Sequence, residues 1–145
     1  FMENRVQKKY LARLEEPIKC GKGVTVTKID DFENDVVGEI KLPFRLDVEN
    51  RPYQIYDEVY GKMGHTIFRI LENGPKPLIE FMPITGRTHQ LRLHASSIHG
   101  LASPICGDNL YGNKNSSSNI KLQLFAFYLE FSINDKKMSF VIDVK

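Results

Sequence analysis

The chain has 145 residues, of which 41% are hydrophobic and 26% are charged, and its formal net charge is +2. These values suit one domain with a sizeable core, and they exclude collagen-like and membrane-spanning chains, since no apolar run approaches the ~18–20 residues that a membrane helix needs. A net charge of +2 does not by itself indicate a nucleic-acid partner, because an ordinary solvated surface gives the same number.

The chain start and the cysteines bear on its origin and compartment. No basic region precedes an apolar stretch at the N-terminus, so no secretory signal is visible. The first residue is Phe1 rather than Met, which indicates a residue left by cloning or a chain cut from something longer. Cys20 and Cys106 are too few for a disulfide framework and are predicted to be reduced thiols in a cytoplasmic protein.

The first element, residues 5–16, has an ambiguous pattern. Val6, Tyr10 and Leu14 fit the stripe of a helix, whereas Tyr10, Ala12 and Leu14 fit one face of a strand. Both alternatives stay open at this point.

The segments that follow are predicted to be strands, because apolar and polar residues alternate within each of them and turn residues separate them. The predicted strands are 24–29, 36–42, 53–60, 65–71 and 78–82. Residues 43–52 are predicted to connect the second of these strands to the third.

The last part of the chain contains the one clear helical pattern, over 88–98. A Ser/Asn-rich surface loop is predicted at 113–119. Residues 121–131 are apolar on both faces, which is typical of a central, doubly covered strand, and 138–144 alternate as a final strand. The predicted fold class is therefore α+β, with a mixed, mostly antiparallel sheet and few helices.

The predicted helix carries a candidate binding residue. At about 100° per residue, Leu91, Ala95 and Ile98 form a core stripe, and Arg92 lies at its edge. A guanidinium there is partly desolvated and suits bidentate pairing with a carboxylate or phosphate. A solvated helix arginine is the open alternative.

Three histidines on this segment do not form a zinc helix. His89, His94 and His99 are spaced by five residues, which spreads them around the helix, whereas zinc helices use i, i+4 pairs. They are interpreted as core or surface histidines, and no metal site is predicted.

Two blocks of the sequence resemble a known signature. Residues 86–94 (GRTHQLRLH) and 103–112 (SPICGDNLYG) resemble the GRTHQ[IL]R…HPI.GD..YG signature of the RluA-type RNA pseudouridine synthases. Residues 8–12 resemble the family's KxYxA element. Residues 50–54 and 61–62 are similar to a connection in the RluA-like branch.

One further element departs from the family. Leu124 and Ala126 stand where the family usually has Leu-His-Ala, and Phe125 replaces the histidine. The resemblance nevertheless covers nearly the whole chain.

The resemblance implies part of the pseudouridine synthase catalytic fold and an isomerase that acts on RNA, either large-subunit ribosomal RNA, transfer RNA or both. The target uridine is flipped into a pocket, where an aspartate acts as nucleophile or as base at the ribose. The uracil then rotates and rejoins through carbon, without cofactor or metal. The resemblance also implies a cytoplasmic enzyme.

The resemblance implies roles for individual residues. Tyr10 matches the tyrosine that packs on the target base, Arg92 matches the arginine that pairs with the catalytic aspartate, and Leu91 is expected to line the pocket. Four other residues are assigned to substrate or RNA contact, three of them with bracing of the loop and helix as the alternative role: Arg51, and the three signature residues Arg87, His89 and Gln90.

The family's aspartate belongs to an HRLDxxTSG element upstream of KxYxA, which this chain does not contain. Arg45-Leu46-Asp47 lacks the Thr-Ser-Gly that follows, and Asp108 is not at a position that the family uses for chemistry. Residues 1–145 are therefore expected to be the C-terminal portion of one catalytic domain, inactive alone. Arg92 is expected to lack its carboxylate partner, and exposed apolar surface is expected to drive self-association of an otherwise monomeric protein.

Two competing interpretations stay open. In the first, the chain is a non-catalytic RNA-binding module that uses cations of the signature and of neighbouring segments: Lys8, Lys9, Arg87, Arg92 and Lys114. Alternatively, it is an ordinary β-rich domain in which the motif is a coincidence.

Overall fold

The computed structural model describes residues 6–30, 35–112, 121–133 and 136–141. Within these ranges the named elements are β1 Val6–Arg13, β2 Val24–Asp30, β3 Asp35–Leu46, β4 Gln54–Tyr56, β5 Lys62–Glu72, β6 Leu78–Pro83, α1 Gln90–Ser96, β7 Leu124–Ile133 and β8 Lys136–Val141. A short 3-10 helix, Val48–Asn50, lies between β3 and β4.

The strands form one sheet in the order β2-β3-β5-β6-β1-β7-β8, with β4 paired to β3. The pairings between these strands are antiparallel. In β1, Tyr10 pairs with Phe81 of β6 on one side and with Ala126 of β7 on the other. The predicted α+β class with a mostly antiparallel sheet is confirmed, and Val6–Arg13 of the ambiguous segment forms a strand.

The core lies between one face of the sheet, α1 and the segment after it. Successive residues of a strand point to opposite faces, so Thr66 and Phe68 of β5 are buried while Arg69 is exposed. Full burial of an apolar side chain such as that of Phe68 contributes about 1.5–3 kcal/mol to the stability of the fold. The core cluster consists of Ala12, Leu14, Ile40, Leu42, Phe68, Ile79, Phe81, Leu91, Ala95, Leu101 and Ile105.

The helix is shorter than the predicted 88–98. His89 has a left-handed backbone (φ 55, ψ 22), so regular helix begins one residue later. At the other end Ser97 is extended (φ −61, ψ 140), which ends the helix after Ser96. No helix in the described ranges is long and apolar enough to cross a membrane.

The predicted core stripe of the helix is correct for Leu91 and Ala95 but wrong for Ile98. Because the helix ends before Ile98, that side chain leaves the core and is 76% exposed. Leu93 and His94 are buried in addition. Most of the circumference of α1 is therefore enclosed.

The region 43–60 also differs from the prediction. β3 continues through Leu46, and the strand predicted at 53–60 is limited to Gln54–Tyr56. The carboxylate of Asp57 ends it, because Asp57 Oδ1 accepts hydrogen bonds from the backbone N–H groups of Val59 (2.8 Å) and Tyr60 (2.9 Å). Such local bonds favour a turn over a strand.

The prediction of a central, doubly covered strand at 121–131 is correct in its place in the sheet, because β7 pairs with β1 and with β8, but wrong in its coverage. β7 begins at Leu124 and lies next to β8, which ends the described sheet, and Phe125 is 47% exposed. The side chains of β8 are exposed along its length. The loop predicted at 113–119 and the last residues of the final strand, 142–144, lie outside the described residues.

Candidate active site

The loop before α1 is braced by Gln90. Its Oε1 accepts hydrogen bonds from the Thr85 hydroxyl (2.6 Å) and the Arg87 N–H (3.0 Å). Its Nε2 donates to the His65 carbonyl and to the Thr66 hydroxyl, both at 2.9 Å. Gln90 is buried and its amide bonds to protein on both sides, which favours the bracing role over RNA contact.

The Arg92 guanidinium has a carboxylate partner within the chain. Its Nη2 donates to Asp108 Oδ1 at 2.6 Å and its Nε donates to Asp108 Oδ2 at 3.1 Å. The side chain of Arg92 is 18% exposed and that of Asp108 is 0% exposed. The expectation that Arg92 lacks a carboxylate partner is therefore wrong, whereas its partly desolvated position at the helix edge is confirmed.

The charges of this pair stabilise each other. Burial raises the pKa of Asp108, but hydrogen bonds from Arg92 and from the N–H groups of Tyr111 and Leu110 outweigh it and lower the pKa overall. The hydrogen bond to Asp108 raises the pKa of Arg92 against the opposing effect of burial. The pair is thus ionised at neutral pH.

Tyr111 links this ion pair to two other segments. Its hydroxyl accepts a hydrogen bond from the Gln54 N–H (3.1 Å) and lies 2.7 Å from His89 Nδ1. The Arg92 guanidinium lies over its ring at 5.5 Å. Burial, and then the charge of Arg92, lower the pKa of His89. Since a neutral imidazole accepts at one nitrogen, a Tyr111 hydroxyl that donates to Nδ1 leaves the His89 proton on Nε2.

A groove of about 700 Å³ lies beside this cluster. Its lining includes the cations Arg45, Arg51, Lys62 and Arg87, together with His89, and among its described lining residues none is acidic. Charge of one sign concentrated in a groove attracts anions such as phosphate groups.

The cations of the groove differ in how they are held. Arg45 donates to Asp57 at 2.5 Å, and Arg87 Nε donates to the Met63 carbonyl at 3.3 Å. Arg51 and Lys62 form no ion pair with any residue of the described ranges. An exposed aromatic ring, Tyr60, also borders the groove.

Tyr10 lines a separate cavity of about 260 Å³ with Lys8, Tyr128 and Phe140 of the neighbouring strands. The lining of this cavity does not include Arg92. Leu91 lies in the core cluster. The structure thus brings Arg51, Arg87 and His89 together at the groove, while Leu91 belongs to the core cluster against which Tyr10 packs.

The three histidines have separate surroundings. His94 is buried in α1, His89 contacts Tyr111, and the His99 ring lies 4.2 Å from that of Tyr56. In the part of the chain that the structure describes, no group of three His, Cys, Asp or Glu side chains is arranged to hold a metal ion.

Both cysteines are free thiols, as predicted: Cys20 is exposed and Cys106 is buried. Burial, with a hydrogen bond to Glu15, raises the pKa of Cys106 to about 11. A thiol with such a pKa is a poor nucleophile at neutral pH.

Sequence reasoning missed the roles of Asp108 and Tyr111. Their turn begins at Gly107, which has φ +82, and a Cβ there would lie 2.2 Å from the Lys121 carbonyl oxygen. A side chain is therefore excluded. The Gly-Asp-x-x-Tyr spacing was a usable signal, because an Asp side chain commonly accepts from the N–H groups two and three residues later.

Comparison with known proteins agrees with this architecture. A family model described as RNA pseudouridylate synthase matches residues 1–97. The chain belongs to the RNA pseudouridylate synthase family.

Named relatives give finer comparisons. The chain is 45% identical over 84 residues to a Dual-specificity RNA pseudouridine synthase RluA of Haemophilus influenzae, covering 57% of this chain and 36% of that protein. It is 34% identical over 142 residues to a Ribosomal large subunit pseudouridine synthase C of Rickettsia bellii, covering 96% of this chain and 39% of that protein.

Among solved structures, Human RNA Pseudouridylate Synthase Domain Containing 1 superimposes with a TM-score of 0.71 at 26% identity, covering 97% of this chain and 55% of the human chain. The chain thus spans between about a third and about half of the length of these relatives.

Proposed function

We propose that the protein to which this chain belongs isomerises a specific uridine to pseudouridine in large-subunit ribosomal RNA, transfer RNA or both, in the cytoplasm. The observation that carries this proposal is the Arg92 guanidinium, fixed by a buried carboxylate beside a groove of cations in a chain of the RNA pseudouridylate synthase family. A relative named for the ribosomal large subunit supports the ribosomal RNA substrate, and another relative is named for dual specificity.

In this proposal the groove cations bind the RNA backbone, and the target uridine is flipped out of its stack. An aspartate acts at the ribose so that the glycosidic bond breaks, and the uracil rotates and rejoins through carbon. Arg92 stabilises the aspartate and the charge that develops near it. Tyr10 packs on the flipped base.

The catalytic aspartate is proposed to come from outside these 145 residues, so that this chain alone is inactive. Three described aspartates support this view because each is engaged locally. Asp57 bonds to Arg45, Asp47 accepts from the Asn50 amide at 3.1 Å, and the Asp108 side chain is fully buried.

The test is pseudouridine formation by the full-length protein on ribosomal and transfer RNA, with an Arg92→Ala variant. Loss of a group that stabilises transition-state charge is expected to lower turnover by about a hundredfold or more while RNA affinity changes little. Arg13→Ala is the matched control, because Arg13 bonds to Glu72 and the Lys76 carbonyl away from the groove. Wild-type turnover in Arg92→Ala contradicts the assignment.

A second candidate function is RNA binding without chemistry. The groove favours it, because four cations and an exposed tyrosine line it within this chain alone. A full-length protein that binds RNA without forming pseudouridine supports this candidate over the enzyme.

A further inference from the structure

Asp108 is a carboxylate fully enclosed by the fold, with a hydrogen-bond donor at each oxygen. Oδ1 accepts from Arg92 Nη2 (2.6 Å) and from the backbone N–H groups of Leu110 and Tyr111 (3.0 Å each). Oδ2 accepts from Arg92 Nε at 3.1 Å. Since the Asp108 side chain is 0% exposed, it cannot reach a substrate and is not a nucleophile.

The pair restrains Arg92 in a defined way. Two parallel bonds from Nε and Nη2 fix the plane of the guanidinium as well as its position. The ring of Tyr111 lies 5.5 Å from the guanidinium carbon and limits its movement on another side. Nη1 has no hydrogen-bond partner among the described residues, so this nitrogen stays available to a further anion.

We propose that Asp108 is a positioning residue that holds the Arg92 guanidinium in one orientation and leaves its Nη1 free for the reacting centre. This inference rests on the proposed function, because it concerns the same arginine. The inference assigns a role in the reaction to Asp108, which lies outside the two segments that carry Tyr10 and Arg92. A flexible arginine would lose conformational entropy when it is ordered during the reaction. An arginine that the fold already holds in place avoids this entropic cost.

The discriminating variant is Asp108→Asn in the full-length protein. The remaining Oδ1 can still accept from the N–H groups of Leu110 and Tyr111, which preserves the turn. The new NH2 group replaces Oδ2 and faces the Nε–H of Arg92, so two donors oppose each other. We expect kcat to fall about a hundredfold, as for a small misplacement of a reacting group, with RNA affinity within about twofold of wild type.

A double variant separates positioning from a general loss of structure. If Asp108 acts through Arg92, adding Asp108→Asn to Arg92→Ala causes little further loss of kcat. A wild-type kcat in Asp108→Asn overturns the inference, as does a full additional loss in the double variant.

The Nε–H signal of Arg92 in 15N NMR spectra gives a readout that does not depend on activity. The signal is assigned by its loss in Arg92→Lys. We expect it to exchange slowly with water in the wild-type protein and rapidly in Asp108→Asn. If the variant does not fold, the wild-type signal still tests the inference. Fast exchange of the wild-type Nε–H with water overturns it. A wild-type protein that forms no pseudouridine contradicts the proposed function instead.

Discussion

His94 is buried in α1, and its Nδ1 has no hydrogen-bond partner within the described residues. Burial lowers its pKa to about 4, and the neighbouring His65 adds to the effect. The imidazole is therefore neutral in the folded protein at pH 7. It ionises near its ordinary pKa of about 6.5 only when the chain unfolds.

Stability is consequently expected to depend on pH through this residue. Between pH ~6.5 and ~4 the unfolded chain binds a proton that the folded chain does not, so the free energy of unfolding falls as the pH falls. The loss is about 3 kcal/mol across this window, at 1.36 kcal/mol for each pH unit. Urea titrations at a series of pH values measure it.

A His94→Leu variant should lose most of this dependence, because the titrating group is gone. His99→Gln is the matched control, since His99 lies outside the core cluster, and it should retain the slope. An unchanged slope in His94→Leu contradicts the assignment.

The strands were the most predictable elements. The alternation in β5 and β6 is set by residues that are adjacent in sequence, so 65–71 and 78–82 were located within a few residues of the observed ends. The ends of α1 were not predictable in this way. They depend on the left-handed backbone of His89 and on Ser97, neither of which periodicity reports.

The candidate site was predictable in part for the same reason. The position of Arg92 at the edge of a buried stripe follows from helical periodicity alone. Its partner Asp108 lies beyond an irregular segment whose path is fixed by long-range contacts, such as the bridge between Leu14 and Ile105. Nothing local in the sequence reports those contacts.

The groove lies where β3, β4 and β5 meet the loop before α1, and its charge can be tested at this level. Replacing Arg51 and Arg87 with Gln in the 145-residue chain should weaken binding of a single-stranded RNA. The logarithm of the binding constant falls linearly with the logarithm of the salt concentration. Each lost phosphate contact should make this negative slope shallower by about 0.7. Filter binding between 50 and 200 mM salt, a range over which phosphate contacts make affinity strongly salt-dependent, measures this slope.

A matched control removes two exposed cations outside the groove, with Lys19→Gln and Lys121→Gln. An equal loss in both double variants contradicts a localised RNA site and indicates a general charge effect. Lys8 and Lys9, also candidates for RNA contact, lie on β1 near Tyr128 rather than at the groove.

At the scale of the whole molecule, apolar side chains are exposed at the β7–β8 end of the sheet. Phe125 is 47% exposed, Phe140 51% and Val141 72%. β8 also ends the strand order within the described residues, and an edge strand offers unpaired backbone groups to another chain.

The isolated chain is therefore expected to self-associate through this end of the sheet. Light scattering at micromolar concentration should give a mass above that of the 16.7 kDa monomer, and a hydrophobic dye should bind. A Phe140→Ser/Val141→Ser variant should shift the mass toward the monomer. A wild-type chain that scatters as a monomer and binds no dye contradicts this expectation.

The place of β1 in the sheet has a consequence for synthesis on the ribosome. β1 precedes the other described strands, yet it pairs with β6 and β7, which are made much later. β2, β3, β5 and β6 pair with neighbours close in sequence and can form as they emerge. β1 must wait, with both of its edges unpaired, until residues 78–83 and then 124–133 have left the exit tunnel. Chaperone protection of the nascent chain matters most during that interval.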